Sequence, residues 1–204
     1  MSSWTDIINA ISLTATSGFT NYGFFTAKAY DLSSFSDASN NGFISTSGSN
    51  WPFAEIAGGD FALEVIMKLP TTLIDGHTGF SSGVDTTGVR FQIGITPAGL
   101  VKLNYKYSSD SWYEHYFSGA SVSGGQFVSL LVSRSSGVLT LYINGVAAGS
   151  AVSFTNTIST SVPTWSIASY GQPATYYGYR FYKNALTAAE AKANSDYNTK
   201  LYNS

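Results

Sequence analysis

An all-β fold, two antiparallel sheets packed as a sandwich with short N-terminal and C-terminal helices, is the class this sequence predicts. Three observations carry it. Apolar and polar residues alternate over many short segments, as they do where one strand face is buried and the other meets water. Clusters of Gly, Ser, Asn and Pro separate those segments. One strong helix signal stands at the end of the chain, where Thr187-Ala-Ala-Glu190 reads as a capping box.

The elements follow in order. Ser3 and Asp6 read as a capping box for a short helix, with Trp4, Ile7, Ile8 and Ile11 as its apolar stripe. Such a helix either packs on the sandwich or docks the chain onto a larger assembly. Residues 1–27 are therefore taken as an N-terminal helix and connecting segment, and residues 28–204 as one sandwich domain. Turn-forming residues dominate up to Asn50, with short strands expected near Lys28 to Leu32 and Gly42 to Thr46. From Asp60 to Leu69 the alternation is clean: Phe61, Leu63, Val65, Met67 and Leu69 share one face, with Glu64 and Lys68 opposite. That pattern predicts a half-buried antiparallel strand.

Val89 to Ile95 and Val101 to Tyr107 both alternate, with Arg90, Gln92, Lys102, Asn104 and Lys106 on the polar face. Thr96-Pro-Ala-Gly99 between them is a turn, so the two form a hairpin. Further strands are expected at Trp112 to Phe117, Gln126 to Arg134, Val146 to Ser150, Trp165 to Ser169 and Tyr177 to Lys183. Val138 to Ile143 ends at Asn144-Gly145, the pair that best tolerates positive φ at both centres of a type I′ turn. Leu139, Leu141 and Ile143 then face the core, and Val138, Thr140 and Tyr142 face away. Leu186 precedes the capping threonine, where it can staple to the first helical turns.

The phrases Leu141-Tyr-Ile-Asn-Gly145 and Arg180-Phe-Tyr-Lys-Asn-Ala-Leu-Thr-Ala-Ala-Glu190, with Phe61-Ala-Leu-Glu-Val-Ile66 upstream, resemble the concanavalin A-like lectin and glucanase superfamily, in particular its laminin G-like members. The resemblance spans about residues 28 to 200 and implies a concanavalin A-like jelly roll. It speaks to fold more than to ligand, because these side chains are explained by turn geometry, core packing and capping.

Composition narrows the function classes. The 204 residues fit one domain able to bury about 70% of its unfolded surface. With no cysteine, stability rests on the core, and thiol catalysis and cysteine-zinc sites are excluded. Charged residues make up 11%, against the usual quarter, and the net charge is −2. The ten basic residues are scattered, which gives no footprint for nucleic acid. No basic segment followed by a long apolar run occurs near the N-terminus, so neither a signal peptide nor a membrane span is visible: either export is not by that route or a leader has been removed, and no membrane insertion is expected. A virion or extracellular protein fits this surface of hydroxyls and tyrosines.

Catalysis has little to stand on. The resemblance implies that an enzyme of this superfamily would carry alternating carboxylates on one strand, so that an acid and a nucleophile face each other. No Glu-x-Asp-x-Glu phrase occurs, and the four glutamates, Glu55, Glu64, Glu114 and Glu190, are dispersed. Neither His77 nor His115 sits by a nucleophile elbow. The expectation is a non-enzyme. No cofactor follows from a motif. Asp75, His77 and Asp85 are a thin set of metal ligands. Calcium (Ca2+), which several laminin G-like proteins bind, stays open without a location, because Asp37, Asp60, Asp75, Asp85 and Asp110 are isolated.

Sugar recognition needs aromatic rings that stack on apolar sugar faces, flanked by partners for the hydroxyls. Two segments have that character. Asp110-Ser-Trp-Tyr-Glu-His-Tyr116 would put Trp112, Glu114 and Tyr116 on one strand face, and Tyr113 and His115 on the other. Tyr170-Gly-Gln-Pro-Ala-Thr-Tyr-Tyr177 reads as a loop offering Tyr170, Gln172, Tyr176 and Tyr177, in a region where the resemblance implies binding residues. The expected function is non-catalytic recognition of cell-surface glycans or glycoconjugates, for instance by a phage virion or tail protein contacting its host. The alternative is a structural virion or surface protein whose sandwich makes homo-oligomer or virion subunit contacts without sugar.

Overall fold

The structure, a computed structural model, describes residues 3–5, 12–15, 24–25, 30–31, 43–45, 59–77, 80–82, 90–106, 112–155, 165–167 and 173–202. The early strands are β1 (Ser3–Thr5), β2 (Ser12–Ala15), β3 (Phe24–Phe25), β4 (Tyr30–Asp31) and β5 (Phe43–Ser45). The middle of the chain forms β6 (Phe61–Lys68), β7 (Gly76–His77), β8 (Phe80–Ser82), β9 (Arg90–Ile95), β10 (Leu100–Lys106) and β11 (Trp112–Ser121). There follow β12 (Phe127–Ser135), β13 (Val138–Ile143), β14 (Val146–Ala147), β15 (Val152–Ser153), β16 (Trp165–Ile167), β17 (Thr175–Tyr182) and the helix α1 (Ala188–Tyr202).

Antiparallel pairing assembles these strands into two layers. The larger layer runs β14-β13-β12-β6-β17-β4-β3, with β15 added beside β13. Facing it is the sheet β11-β10-β9-β7, and β1-β2-β5-β16-β8 forms a further ladder. Between the layers, Leu63, Val65, Met67, Leu130 and Leu141 from one side meet Ile93, Ile95, Leu103 and Phe117 from the other. Burying each such side chain contributes roughly 1.5–3 kcal/mol relative to leaving it in water. The sandwich, its jelly-roll character and the C-terminal helix are as the sequence predicts.

Two expectations need correction. Ser3–Thr5, expected to open a helix, is instead extended and pairs with Ser12–Ala15, Trp4 opposite Leu13. A two-turn stripe is too short to hold a helix against strand pairing; residues 6–11 lie outside the described residues. The second correction concerns β6, which is buried on both faces and not one, Glu64 included. It lies at the centre of its sheet between β12 and β17, and α1 covers the face that alternation alone assigns to solvent.

The turn at Asn144-Gly145 has positive φ at both residues, 51° and 78°. Asn144 also ties β13 to β12: its amide donates to the Ser129 carbonyl, and its Oδ1 accepts from the Ser129 amide, both at 2.9 Å. Glycine at 145 serves a second purpose. A Cβ there would stand 2.7 Å from Lys192 Cα, so its absence lets α1 lie against the turn.

At the helix start the capping box forms as expected. The Thr187 amide donates to Glu190 Oε2 at 2.8 Å, and the Glu190 amide to Thr187 Oγ1 at 3.3 Å. Leu186 and Ala191 share one apolar cluster, the staple geometry, and Ser133 Oγ accepts from the Leu186 amide at 2.8 Å. Hydrogen bonds from the Thr187 backbone, then its side chain, hold the Glu190 carboxyl below its usual range. A depressed folded value gives stability that is present above the unfolded glutamate value and lost as pH falls through the folded one. Thr187→Ala should lower the thermal midpoint at neutral pH by about 2–4 °C. The difference from wild type should shrink on acidification below that range; a gap unchanged down to strongly acid pH would count against this account.

Past its first turn α1 docks through polar side chains. Ala191, Ser195 and Asn198, at i, i+4 and i+7, are its buried residues. Asn198 Nδ2 donates to Glu64 Oε1 at 2.8 Å, beside a 2.6 Å bond from Ser129 Oγ. Glu64 Oε2 accepts from Arg180 at 2.9 Å and from the Tyr182 hydroxyl at 3.2 Å. Burial, and then the Glu64 charge, push the Tyr182 phenol up to about 12.

Candidate functional site

The hairpin β9–β10 sets up the outer face of the smaller sheet. Thr96 opens its turn and Gly99, at φ 80°, closes it, with the Gly99 amide donating to the Thr96 carbonyl at 2.8 Å. A Cβ on Gly99 would fall 2.0 Å from the Val122 carbonyl oxygen, which locks the turn against the end of β11. Register then follows. Lys102 stands opposite Gly94 on one side and Tyr116 on the other, and Asn104 opposite Gln92 and Glu114.

Alternation predicts a solvated polar face here, yet Lys102 and Asn104 are buried. Glycine at 94 explains the lysine. A Cβ at that position would be 3.0 Å from both Cγ and Cε of Lys102, so the alkyl chain lies flat across the strand where a side chain would otherwise stand. Its ammonium emerges 2.8 Å from Glu114 Oε1 and 3.5 Å from Asp75 Oδ1, and 5.9 Å from the centre of the Tyr116 ring. Burial pulls the ammonium down, but the Glu114 hydrogen bond and the charges of Asp75 and Glu114 outweigh it and hold it above its ordinary value. The Tyr116 hydroxyl donates to Glu114 Oε2 at 3.1 Å, and the tyrosine is 46% exposed. The result is a fixed carboxylate beside an accessible aromatic ring.

Of the nine residues expected at a ligand site, the described ones do not all share one face. Glu114 and Tyr116 share the outer face, and the backbone of Trp112 pairs with Lys106 two residues before Glu114 on the same strand. His115 and Tyr113 fall on the opposite parity, His115 across from the core residue Leu103. Tyr170 and Gln172 lie outside the described residues. The expected loop is in part strand: Thr175–Tyr182 is β17, and Tyr176, opposite Met67, is 1% exposed inside the core. Tyr176 is therefore a packing residue and not a sugar platform. Tyr177 packs its ring 5.6 Å from Phe127 and 5.2 Å from Tyr202, where it seats the last turn of α1. Lys102 escapes the sequence reading. Its signal is the hairpin alignment, which sets a lysine one rung from a glutamate with glycine beside it.

Acidic residues expected at a metal are otherwise engaged. Asp75 meets the Lys102 ammonium, and Asp60 Oδ1 accepts from the Ser136 amide at 2.8 Å. Among the described residues there is no group of three or more His, Asp or Glu fit to hold an ion. Asp37, Asp85 and Asp110 lie outside them. Also among the described residues, no helix is long and apolar enough to cross a membrane.

Several solved structures share this architecture. Trypanosoma rangeli sialidase superposes with a TM-score of 0.64 at 12% identity, over 95% of this chain and 30% of that one. This chain thus spans about a third of the sialidases it resembles. Botulinum neurotoxin type C, whose uptake by cells depends on interaction with two ganglioside molecules, matches with a TM-score of 0.66 at 15% identity, over 97% of this chain and 51% of that one. Domain 4 of an extracellular arabinanase from Geobacillus stearothermophilus, solved with arabinotriose, matches with a TM-score of 0.56 at 18% identity, over 90% and 81%. Such identities speak to fold alone. No curated protein sequence matches the chain. The laminin G-like model of the concanavalin A-like lectin/glucanases superfamily matches residues 39–192, well over half of the sequence, and the chain belongs to that family.

Proposed function

We propose that this chain is a non-catalytic carbohydrate-binding sandwich that recognises glycans through the outer face of β9, β10 and β11. One observation carries the reading: the exposed Tyr116 ring is hydrogen-bonded to a Glu114 carboxylate that a buried lysine holds in place. An aromatic face for the sugar ring and a fixed acceptor for its hydroxyls are the two things sugar recognition needs. Both nearby carboxylates converge on the same ammonium, an arrangement suited to holding hydrogen bonds. Of the other glutamates, Glu64 is sealed beneath α1 and Glu190 is taken up by the cap. Solved neighbours that bind arabinotriose or gangliosides add support at the level of the fold. A virion or extracellular surface, contacting a host's glycans, is the setting we propose, on the low charge and the abundance of hydroxyl and tyrosine side chains.

An array of immobilised glycans should retain the intact protein, and Tyr116→Ala should reduce retention at least about tenfold, since stacked aromatic anchors dominate such contacts. The half-exposed Tyr116 leaves the core intact, so the thermal midpoint should stay near that of the wild type. Absence of binding to any glycan, together with a stable homo-oligomer in light scattering, would sink this reading in favour of subunit contacts.

A further inference from the structure

We infer that the protein carries a second ligand site on its larger sheet, a small cleft at the end of β6 that takes one anionic sugar unit through Lys68. The cleft holds about 320 Å³ and is lined by Lys68, Leu69, Pro70, Thr71, Gly125 and Thr175. That is the low end for ligand cavities, room for a single ring with its substituents. It belongs to the layer of β6, β12 and β17, whereas the face proposed above belongs to β9, β10 and β11, so neither reading leans on the other. Backbone fixes its walls. The Leu69 amide donates to the Gln126 carbonyl at 2.8 Å and the Gly125 amide to the Pro70 carbonyl at 2.9 Å, which laces the exit of β6 to the approach to β12. A Cβ on Gly124 would fall 2.0 Å from the Thr71 carbonyl oxygen, so its absence lets the two segments close up. A ligand meets walls that need little ordering, which lowers the cost of binding.

Register supplies the contents. Phe127 and Thr175 stand opposite Lys68 on the two neighbouring strands, so the three share the outer face of the sheet. Helix α1 covers that face over Ala62 and Glu64 and ends with Tyr202 against Tyr177, which leaves Lys68 exposed beyond it. Other cations are spent inside the protein: Lys102, Arg180 and Lys192 each pair with a carboxylate. Among the described residues, neither the Lys68 ammonium nor the Thr71 hydroxyl has a hydrogen-bond or ion-pair partner. Asp31, the acidic residue on this rung, lies two strands from Lys68, about 10 Å in backbone spacing. An ammonium with unused donors makes short, charge-assisted bonds to a carboxylate or sulfate. Thr71 adds a partner for a ring hydroxyl, and Pro70 an apolar wall. A neutral sugar would gain the hydroxyl bonds and forgo the strongest contact.

The test is a titration of the full chain, followed by amide NMR, with sodium glucuronate and glucose 6-sulfate against glucose and sodium acetate. The two anionic sugars should move the amides of Thr71, Gly125 and Thr175 and bind at least about tenfold more tightly than glucose or acetate, less so as salt rises. Lys68→Met keeps the stem and removes the charge; at an exposed position it should fold normally and weaken the anionic sugars about tenfold or more. Lys68→Arg should stay within about threefold of the wild type, and Tyr116→Ala, on the other sheet, should change nothing here. Glucose binding as tightly as glucuronate, or glucuronate unaffected by Lys68→Met, overturns the inference. Acetate matching glucuronate overturns the assignment to a sugar, and loss of glucuronate binding in Tyr116→Ala overturns the location. The carbohydrate reading of β9, β10 and β11 survives each of these results, because its own test is retention on the glycan array.

Discussion

Tyr176→Ala is expected to destabilise the protein by about 3–5 kcal/mol, on the scale of other large aromatic truncations in cores. The side chain is among the largest fully buried ones, lies within the main apolar cluster, and stacks on Tyr179 with ring centres 5.8 Å apart and planes 16° from parallel. Removing its ring leaves a cavity in a region built of paired strands, where the backbone has little freedom to collapse. Burial pushes its phenol well above the ordinary tyrosine value, as for a group without solvent. Tyr176→Phe keeps the ring and should lose no more than about 1–2 kcal/mol. Chemical denaturation of the three proteins checks this, and an alanine variant within about 1 kcal/mol of the wild type would refute the core assignment. The result also bears on function: glycan binding lost in Tyr176→Ala would report unfolding, whereas loss in Tyr116→Ala reports the surface.

Why one tyrosine could be read from sequence and the other could not comes down to what alternation encodes. Val138 to Ile143 falls into strand and turn as expected, because a period of two and an Asn-Gly pair are local properties. The capping box is equally local, contained within four residues. Glu114 and Tyr116 share a face for the same reason. Tyr176 differs because its burial depends on β17 pairing with β6, more than a hundred residues earlier in the chain, and a Gly-Gln-Pro run in front of it looks like a loop.

Lys102 and Glu64 fail in the same way from opposite sides. Each sits at a polar position of a cleanly alternating strand, where pattern alone says solvent. What surrounds them lies on other elements: Gly94 and Tyr116 on the strands flanking the lysine, and α1 over the glutamate. Helix α1 has a weakly apolar inner face of Ala191, Ser195 and Asn198, so no apolar stripe announces where it docks. Lys102 and Glu64 are thus the points where tertiary structure overrides local pattern, while Lys68 on the same face of β6 stays exposed.

The second large effect is expected at Glu64. Its carboxylate is fully buried and accepts from Ser129, Arg180, Tyr182 and Asn198, so one side chain joins β6, β12, β17 and α1. Glu64→Leu removes the shared acceptor and leaves a partly buried guanidinium with several donors unserved, a change of the kind that costs about 3–5 kcal/mol. Helix α1 should suffer first. Asn198 Nδ2 then keeps only its 3.4 Å bond to Ser129 Oγ beneath the helix, while the capping box at the other end is untouched. Hydrogen exchange should therefore show protection falling most in the C-terminal half of α1 and little in β9 and β10. Adding Arg180→Met to Glu64→Leu removes the stranded charge, and replacement of both partners by apolar groups of similar size is commonly near neutral, so the double variant should recover at least about 1 kcal/mol. If the single variant lost under about 1 kcal/mol with α1 protection unchanged, the helix would owe its place to the capping box, the Gly145 contact and the packing of Ala191 and Tyr202, and not to Glu64. A double variant no better than the single one would mean instead that the hydroxyl and amide bonds to Glu64, and not its pairing with Arg180, hold the helix to the sheet.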